Sequence, residues 1–224
     1  MNTTPRQQFV DCLSASLARI HLGHPVRIGI DGVDASGKTR LADELVAPLA
    51  AQGRSVIRAS IDGFHRPRAE RYKLGRQSPE GYYRDSFQLD LVVRDLLAPL
   101  GPGGSRRIKR AIFDYRVDAA VDLPAEEVTA DAILLFDGVF LHRPELGPYW
   151  DATIYLDVPF HVTVRRAAER DGWPPDAEAV ENRRYVEGQR LYLRECDPRA
   201  VASMVVDNTD LSRPVITATR APFR

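Results

Sequence analysis

The sequence contains few cysteines and no long apolar run, and each shortage excludes a class of protein. Two cysteines, Cys12 and Cys196, occur in 224 residues, and their separation fits neither a zinc site nor a redox pair. They suit a reducing compartment, in which thiols stay free. No stretch approaches the roughly 20 apolar residues that cross a bilayer. The N-terminal apolar pattern is interrupted by charges, unlike that of a signal sequence. These features predict a cytoplasmic protein with no membrane partner.

Charge of one sign is not in excess either. The 31 basic and 31 acidic side chains give a formal net charge of zero, so no overall field attracts nucleic acid. Lysine is scarce among the basic residues, which include only Lys38, Lys73 and Lys109. A local basic stretch at residues 66–76 is either a solvated loop or a surface that favours a phosphorylated acceptor.

The apolar pattern predicts a single α/β domain over residues 1–224. Short β-rich runs, some apolar on both faces, belong in a largely parallel sheet with helices on each side. The predicted strands are 26–30, 55–61, 108–113, 132–136, 152–156 and 203–206. The predicted helices cover the first twenty residues, a segment that ends near residue 53, and residues 86–98, 161–170 and 176–195. The predicted fold class is a three-layer α/β sandwich.

A glycine-rich turn separates the first predicted strand from the helix that follows it. The turn reads GVDASGKT, which is the spacing of a phosphate-binding loop in its proper strand-to-helix context. Glycines let successive backbone N–H groups point at one anion, and the helix N-terminus adds partial positive charge. Lys38 is expected to reach the β- and γ-phosphates, and the Thr39 hydroxyl to bind Mg²⁺. The predicted nucleotide-binding residues are Gly32, Val33, Asp34, Ala35, Ser36, Gly37, Lys38 and Thr39.

Acidic residues follow two other predicted strands, at the edge of the sheet where ligands of such folds bind. Asp62 follows the second strand, where a carboxylate can accept the proton of an acceptor hydroxyl. Asp137 follows strand 132–136, where nucleotide-binding proteins of this class hold Mg²⁺ with an acidic residue. Each aspartate precedes a glycine, so an ordinary turn is the alternative interpretation for both.

Two arginines lie four residues apart in the predicted helix 161–170. Like charges at this spacing repel each other unless an anion lies between them, so Arg166 and Arg170 are interpreted as facing phosphate. Two solvated arginines on an exposed face are the alternative. For His65 and His142, a satisfied or exposed side chain is the simpler interpretation.

These motifs occur in an order that resembles the uridine kinase and phosphoribulokinase family of P-loop kinases, above all its bacterial uridine-kinase-like members. The resemblance covers nearly all of the chain beyond about residue 20. The segments that carry it are GVDASGKT, SIDGFHRPR, SPEGYYRDSFQLD, PLGPGGSRR, FDGVFLHRPEL, WDATIYLDVPF and RYVEGQRLYL. The first two are specific when they occur together.

The resemblance implies a P-loop kinase fold and an enzyme that uses ATP and Mg²⁺ to phosphorylate a hydroxyl of a nucleoside-like small molecule. The usual acceptor of the family is the 5′-hydroxyl of a pyrimidine nucleoside. Within the single domain, we expect an N-terminal helix in residues 1–22, an acceptor-binding insert in residues 62–120 and a lid in residues 170–180.

The resemblance also implies roles for individual residues. Asp62 would be the catalytic base, and Thr39 and Asp137 would bind the metal. The charge of the transferred phosphate would be stabilised by Lys38, Arg166 and Arg170. The residues expected near the acceptor are Phe64, His65, Tyr83, Asp85 and Phe113.

Three departures from the family pattern leave the acceptor open. YYRDSF replaces a run of aromatic, Asp, His, Pro and Asp, and Val117 and Asp118 stand where relatives carry a base-reading histidine. The lid lacks further arginines after Arg170, so Arg183 and Arg184 are candidates for the missing charge. The alternative acceptors are a nucleoside analogue, a pantothenate-like alcohol and a sugar phosphate. A regulatory nucleotide-binding protein is the alternative from another class, and a homo-oligomer also stays open.

Overall fold

The computed structural model describes residues 3–222, which form ten strands and eight α-helices. The strands are β1 (Val26–Gly32), β2 (Val56–Ser60), β3 (Arg107–Ile108), β4 (Phe113–Asp114), β5 (Ala119–Ala120), β6 (Glu126–Glu127), β7 (Ile133–Gly138), β8 (Ala152–Asp157), β9 (Met204–Asp207) and β10 (Val215–Thr219). The helices are α1 (Pro5–Ala18), α2 (Lys38–Ala51), α3 (Arg68–Arg71), α4 (Pro79–Asp85), α5 (Leu89–Val92), α6 (Phe160–Asp171), α7 (Val180–Cys196) and α8 (Pro198–Val201).

The central sheet has six strands in the order β10-β9-β8-β1-β7-β2. All neighbouring pairs are parallel except β9 and β10, which are antiparallel. In the register, Asp31 of β1 lies opposite Gly138 of β7, and Asp137 lies opposite Ser60 of β2. The carboxyl ends of these three strands therefore meet at one edge, and the predicted functional segments follow them there.

Helices cover both faces of the sheet, so the predicted three-layer sandwich is confirmed. On one face, α1 and α2 pack leucines against Ile28 and Ile30 of β1. On the other face, α4, α5 and α7 form the second cluster. Strand β7 serves both, because Leu135 contributes to the first cluster and Phe136 to the second. This two-sided burial explains why β7 is apolar at every position before Asp137. Within residues 3–222, no helix is both long and apolar enough to cross a membrane.

The predicted strand at residues 108–113 is wrong. This segment contributes only the ends of two short antiparallel pairs, β3 with β6 and β4 with β5, outside the central sheet. The physical reason is its charge, because Lys109 and Arg110 interrupt the apolar residues that a buried strand requires. Helix α4 and strand β10 were not predicted. Helix α7 begins at Val180, later than predicted, since the Asn182 side chain donates to the carbonyls of Pro174 and Asp176 and stabilises a turn before it.

Helices α4 and α7 approach each other closely at Gly188. A Cβ atom there would lie 2.8 Å from Tyr82 Cδ1 and 2.9 Å from the Pro79 carbonyl oxygen. In Gly188→Ala, helix propensity would gain about 1 kcal/mol, whereas overpacking of this kind costs about 1–3 kcal/mol. We therefore expect the free energy of unfolding to fall, by up to about 2 kcal/mol, in urea denaturation. Gly23→Ala is the control, since no atom lies within 4 Å of its Cβ position; equal stability of the two variants would contradict the expectation.

Candidate active site

The glycine-rich turn forms a loop between β1 and α2 that is built to hold an anion. Gly37 has φ 98°, and a Cβ there would lie 2.7 Å from the Asn208 amide nitrogen, so glycine is required twice over. Helix α2 begins at Lys38 with no side-chain cap. Its first N–H groups therefore lack the usual side-chain acceptor, which is the arrangement that binds phosphate at a helix N-terminus.

A hydroxyl and a carboxylate lie together beside this loop. Thr39 Oγ1 donates to Asp137 Oδ2 at 2.5 Å, and the other carboxylate oxygen accepts from Arg58 Nη2 at 2.9 Å. Mg²⁺ prefers oxygen ligands and is commonly held by one or two protein groups together with phosphate and water. The pair fits this ion, and no cluster of three or more metal-binding side chains occurs in the described part of the chain. The structure thus brings together the two predicted metal residues, which lie 98 positions apart in sequence.

Lys38 and Asp62 follow two parallel strands that end at the same edge of the sheet, Lys38 after β1 and Asp62 after β2. Lys38 Nζ donates to the Val33 carbonyl at 2.7 Å, inside the phosphate-binding loop. Asp62 lies in the 3₁₀ turn Ile61–Phe64 after β2, where its N–H donates to Ser60 Oγ. Its side chain is 58% exposed, so one face of the carboxylate is open to a ligand.

The surroundings of Asp62 keep it ionised. Partial burial acts to raise its pKa, but the contact with His65, followed by the charges of Lys38 and Arg116, outweighs that effect. The pKa of the Asp62 carboxyl therefore lies below its usual value. At neutral pH the group is a carboxylate and can accept a proton from a hydroxyl.

Two of the aromatic residues expected near the acceptor are buried in the hydrophobic core. Phe64 is fully buried and packs against Phe136 with ring centroids 6.2 Å apart. Tyr83 is 2% exposed, and its hydroxyl lies 3.5 Å from Cys196 Sγ. The expectation that they line the acceptor site is corrected, because both rings belong to the same core cluster.

The other expected acceptor residues have different surroundings. Phe113 is 6% exposed in β4, and His65 lies beside Asp62 with Nε2 3.5 Å from Oδ1. Asp85 is half-buried at the end of α4, and its side chain forms no hydrogen bond or ion pair with any residue in 3–222. Its carboxylate is therefore the least committed of the expected acceptor groups.

The arginines differ in how firmly they are held. Arg166 donates to the carbonyls of Asn208 at 3.0 Å and Thr209 at 2.7 Å, and to Ala35 of the phosphate-binding loop at 3.4 Å. Burial lowers the pKa of its guanidinium. Arg170 pairs with Asp171, and the hydrogen bond to that carboxylate raises the pKa of Arg170. Arg166 is thus held by backbone carbonyls, one of them in the phosphate-binding loop, whereas Arg170 stays on the exposed surface.

Arg184 is not available as a mobile lid residue. It is 4% exposed and donates to carbonyls of the loop at residues 71–78, including that of Ser78 at 3.1 Å. Its guanidinium also lies over the ring of Tyr72, 4.9 Å from the centroid. The alternative in which Arg184 moves onto the phosphates is therefore corrected. Arg183, the other candidate, is exposed on α7.

Sequence reasoning missed a set of contacts that join the phosphate-binding loop to helices α4 and α7. Tyr82 of α4 donates to Asp34 Oδ2 at 2.9 Å, and Gln189 of α7 donates to the same oxygen at 2.5 Å. Gln189 Oε1 also accepts the Asp34 N–H at 3.2 Å. Burial and the Asp34 charge raise the pKa of Tyr82 well above its usual value, so the phenol stays a donor. Asp34 thus connects the phosphate-binding loop to two helices at once.

A second missed cluster lies beneath the loop. Asp31 is fully buried and accepts hydrogen bonds from the Gly32 N–H at 2.7 Å and from the Tyr192 hydroxyl. His142 Nδ1 lies 2.6 Å from Asp31 Oδ2, and its Nε2 lies 2.9 Å from Thr153 Oγ1. The simpler interpretation of His142, a satisfied side chain, is the correct one. A signal was present in the sequence, since an aspartate inside an apolar strand requires buried partners.

Comparison with known proteins gives the family. No protein-family model matches the chain. A uridine kinase of Leuconostoc citreum is 30% identical over 148 residues, which are 66% of this chain and 69% of that protein. The structure of a possible uridine kinase from Bacillus stearothermophilus superposes with a TM-score of 0.70 and 26% identity, covering 88% of this chain and 97% of the other. Phosphoribulokinase from Rhodobacter spheroides, with a TM-score of 0.56 and 16% identity over 85% of this chain and 74% of the other, shares the fold alone. The chain belongs to the uridine kinase family of P-loop kinases.

Proposed function

We propose that this kinase transfers the γ-phosphate of ATP to a hydroxyl of a small molecule, with the 5′-hydroxyl of a pyrimidine nucleoside as the acceptor. The observation that carries the proposal is the placement of Lys38 and Asp62 after two parallel strands that end at the same edge of the sheet. The positive charge of Lys38 acts on the Asp62 carboxylate, as expected where a donor-binding cation and a base serve one transfer. The name of the Leuconostoc citreum relative supports the nucleoside.

In this mechanism the chain acts mainly by positioning and by charge. The loop amides and Lys38 hold the triphosphate, while Asp62 accepts the proton of the acceptor hydroxyl as its oxygen attacks the γ-phosphorus in line. The new O–P bond forms as the bond to the β-phosphate oxygen breaks, which releases ADP. Thr39 and Asp137 would hold Mg²⁺, which neutralises phosphate charge when bound. Arg170 is proposed to contact the transferred phosphate after leaving its pairing with Asp171.

A sugar phosphate is the second candidate acceptor, and the hairpin between β4 and β5 supplies the reason. Asp118, one of the residues in the place of the base-reading histidine, accepts from the Arg68 N–H at 2.8 Å and from Arg71 at 3.2 Å. It is therefore committed to structure and not free to read a base. The neighbouring Arg116 is exposed, and its charge acts on Asp62, so a cation near the proposed base supports an anionic acceptor.

Measuring ADP release in a coupled assay with a panel of acceptors tests the proposal. The panel contains uridine, cytidine, pantothenate, a pentose phosphate and a hexose phosphate, and ³¹P NMR of the product identifies the phosphorylated hydroxyl. We expect uridine or cytidine to raise ADP release well above the acceptor-free rate. Stimulation by a sugar phosphate alone would select the second candidate. ATP hydrolysis that no acceptor stimulates would overturn the kinase assignment in favour of a regulatory nucleotide-binding protein.

A further inference from the structure

The imidazole of His65 is held in one orientation beside Asp62. Its side chain is 12% exposed, and the ring lies between those of Phe87 and Tyr115, with centroids 4.6 and 4.9 Å away. The backbone is also fixed, since His65 pairs with Phe87 in an antiparallel bridge and its carbonyl accepts from Gln88 Nε2 at 2.8 Å. The ring therefore has little freedom to turn, and its Nε2 edge faces Asp62.

Both ring nitrogens of His65 face hydrogen-bond acceptors. Nδ1 lies 3.2 Å from the Ser86 carbonyl oxygen, which already accepts the Arg66 N–H at 2.9 Å. Nε2 lies 3.5 Å from Asp62 Oδ1, and an ionised carboxylate only accepts. The carboxylate is the charged one of the two acceptors, and hydrogen bonds to charged groups are the stronger ones. The arrangement therefore favours a hydrogen on Nε2, which faces Asp62.

We infer that His65 is a positioning residue whose Nε2–H holds Oδ1 of Asp62, so that the second carboxylate oxygen is left to accept the acceptor proton. The inference rests on the proposed function, because it assigns the partner of the proposed base. It differs from the expected acceptor contact of His65, since the ring acts through Asp62. The distance of 3.5 Å is long for a hydrogen bond, so the contact orients the base by electrostatic attraction and not by a short hydrogen bond.

The effect of losing His65 on the pKa of Asp62 depends on the other charged groups around this carboxylate. Lys38 at the start of α2 and Arg116 in the β4–β5 hairpin act on Asp62 in the same direction as His65. Tyr82 of α4 also lies within range of the Asp62 charge, but its raised pKa keeps it neutral. Burial acts to raise the pKa of Asp62, and among the groups that lower this pKa His65 has the largest effect. Without His65, protonation of Asp62 would therefore begin at a higher pH.

His65→Phe tests this inference because it keeps an aromatic ring between Phe87 and Tyr115 and removes both nitrogens. We expect the acid limb of kcat/KM for the acceptor to move to higher pH, kcat at neutral pH to fall on the order of tenfold, and KM for ATP to stay unchanged. His21→Phe is the matched control, since His21 is exposed in the loop before β1, and its pH profile should equal that of the wild type. An unchanged acid limb in folded His65→Phe would overturn the inference.

NMR of the histidine rings provides a test that requires no turnover and no folded His65 variant. In the full chain without acceptor, we expect the ¹³C and ¹⁵N shifts of His65 to report a hydrogen on Nε2. The chemical shift of Nε2 should change in Asp62→Asn, which removes the negative partner. A His65 ring without a hydrogen on Nε2 in the wild type would contradict the pairing even if the acceptor assay succeeds. Conversely, an Nε2–H whose shift responds to Asp62→Asn supports the pairing even if no acceptor is found.

Discussion

Asp62→Asn is expected to reduce kcat by about 10²–10⁴-fold without weakening ATP binding. Asparagine has nearly the shape of aspartate, and the backbone N–H at this position can still donate to Ser60 Oγ. What it lacks is the ability to accept a proton from the acceptor hydroxyl as the O–P bond forms. The phosphate-binding loop lies on another strand end, so the donor site retains its amides and Lys38.

The measurement combines steady-state kinetics with calorimetry of ATP binding in the presence of Mg²⁺. Asp122→Asn is the control for loss of a carboxylate, because Asp122 is fully exposed and makes one contact, 3.4 Å to Lys109, among the described residues. It should retain wild-type turnover and ATP affinity. Near-normal turnover in Asp62→Asn would remove Asp62 from the role of base, and lost ATP affinity would instead show that the residue supports the donor site.

The phosphate-binding loop and the strand ends could be predicted because their signals are local. The spacing of Gly32, Gly37, Lys38 and Thr39 is itself the loop, and the apolar runs before and after it define a strand and a helix. Parallel strands bring their carboxyl ends to one edge. The closeness of Thr39 and Asp137 was therefore predictable across 98 positions of sequence.

The acceptor side could not be predicted to the same depth. The sequence does not distinguish an aromatic residue that packs in a core from one that stacks on a ligand. Tyr83 packs in the core. Arg184 was assigned to the lid from its charge, but its partners are backbone carbonyls of the loop at residues 71–78. Every residue has a backbone carbonyl that can accept a hydrogen bond, so the sequence does not indicate which carbonyls a side chain will contact. Such contacts become visible only when the loop is placed in three dimensions.

The cluster around Asp31 shows the same limit and leads to the second large expected effect. His142 and Tyr192 lie 111 and 161 positions after Asp31 in the sequence, so no local sequence pattern connects them to it. Once folded, they connect the residue just before the phosphate-binding loop to the segment after β7 and to α7. Removal of His142 would leave a fully buried carboxylate with two of its three hydrogen bonds, those from the Gly32 N–H and the Tyr192 hydroxyl.

His142→Ala is expected to lower the free energy of unfolding by about 1–3 kcal/mol for the lost hydrogen bond to a buried polar group, and further by the cavity that the missing ring leaves. Urea denaturation followed by tryptophan fluorescence measures the change. His21→Ala is the matched control, and because His21 is exposed, its effect should stay within about 0.5 kcal/mol. The two retained hydrogen bonds to Asp31 favour the lower part of the range.

A double-mutant cycle separates the lost pairing from the cavity that His142→Ala creates. Asp31→Asn removes the negative charge while keeping a polar group of similar size, so His142→Ala should cost less in that background than in the wild type. The difference between the two costs is the coupling energy of the pair. Equal costs in the two backgrounds would mean that the imidazole contributes only by filling space. In that case the carboxylate would be stabilised by the Gly32 N–H and the Tyr192 hydroxyl alone.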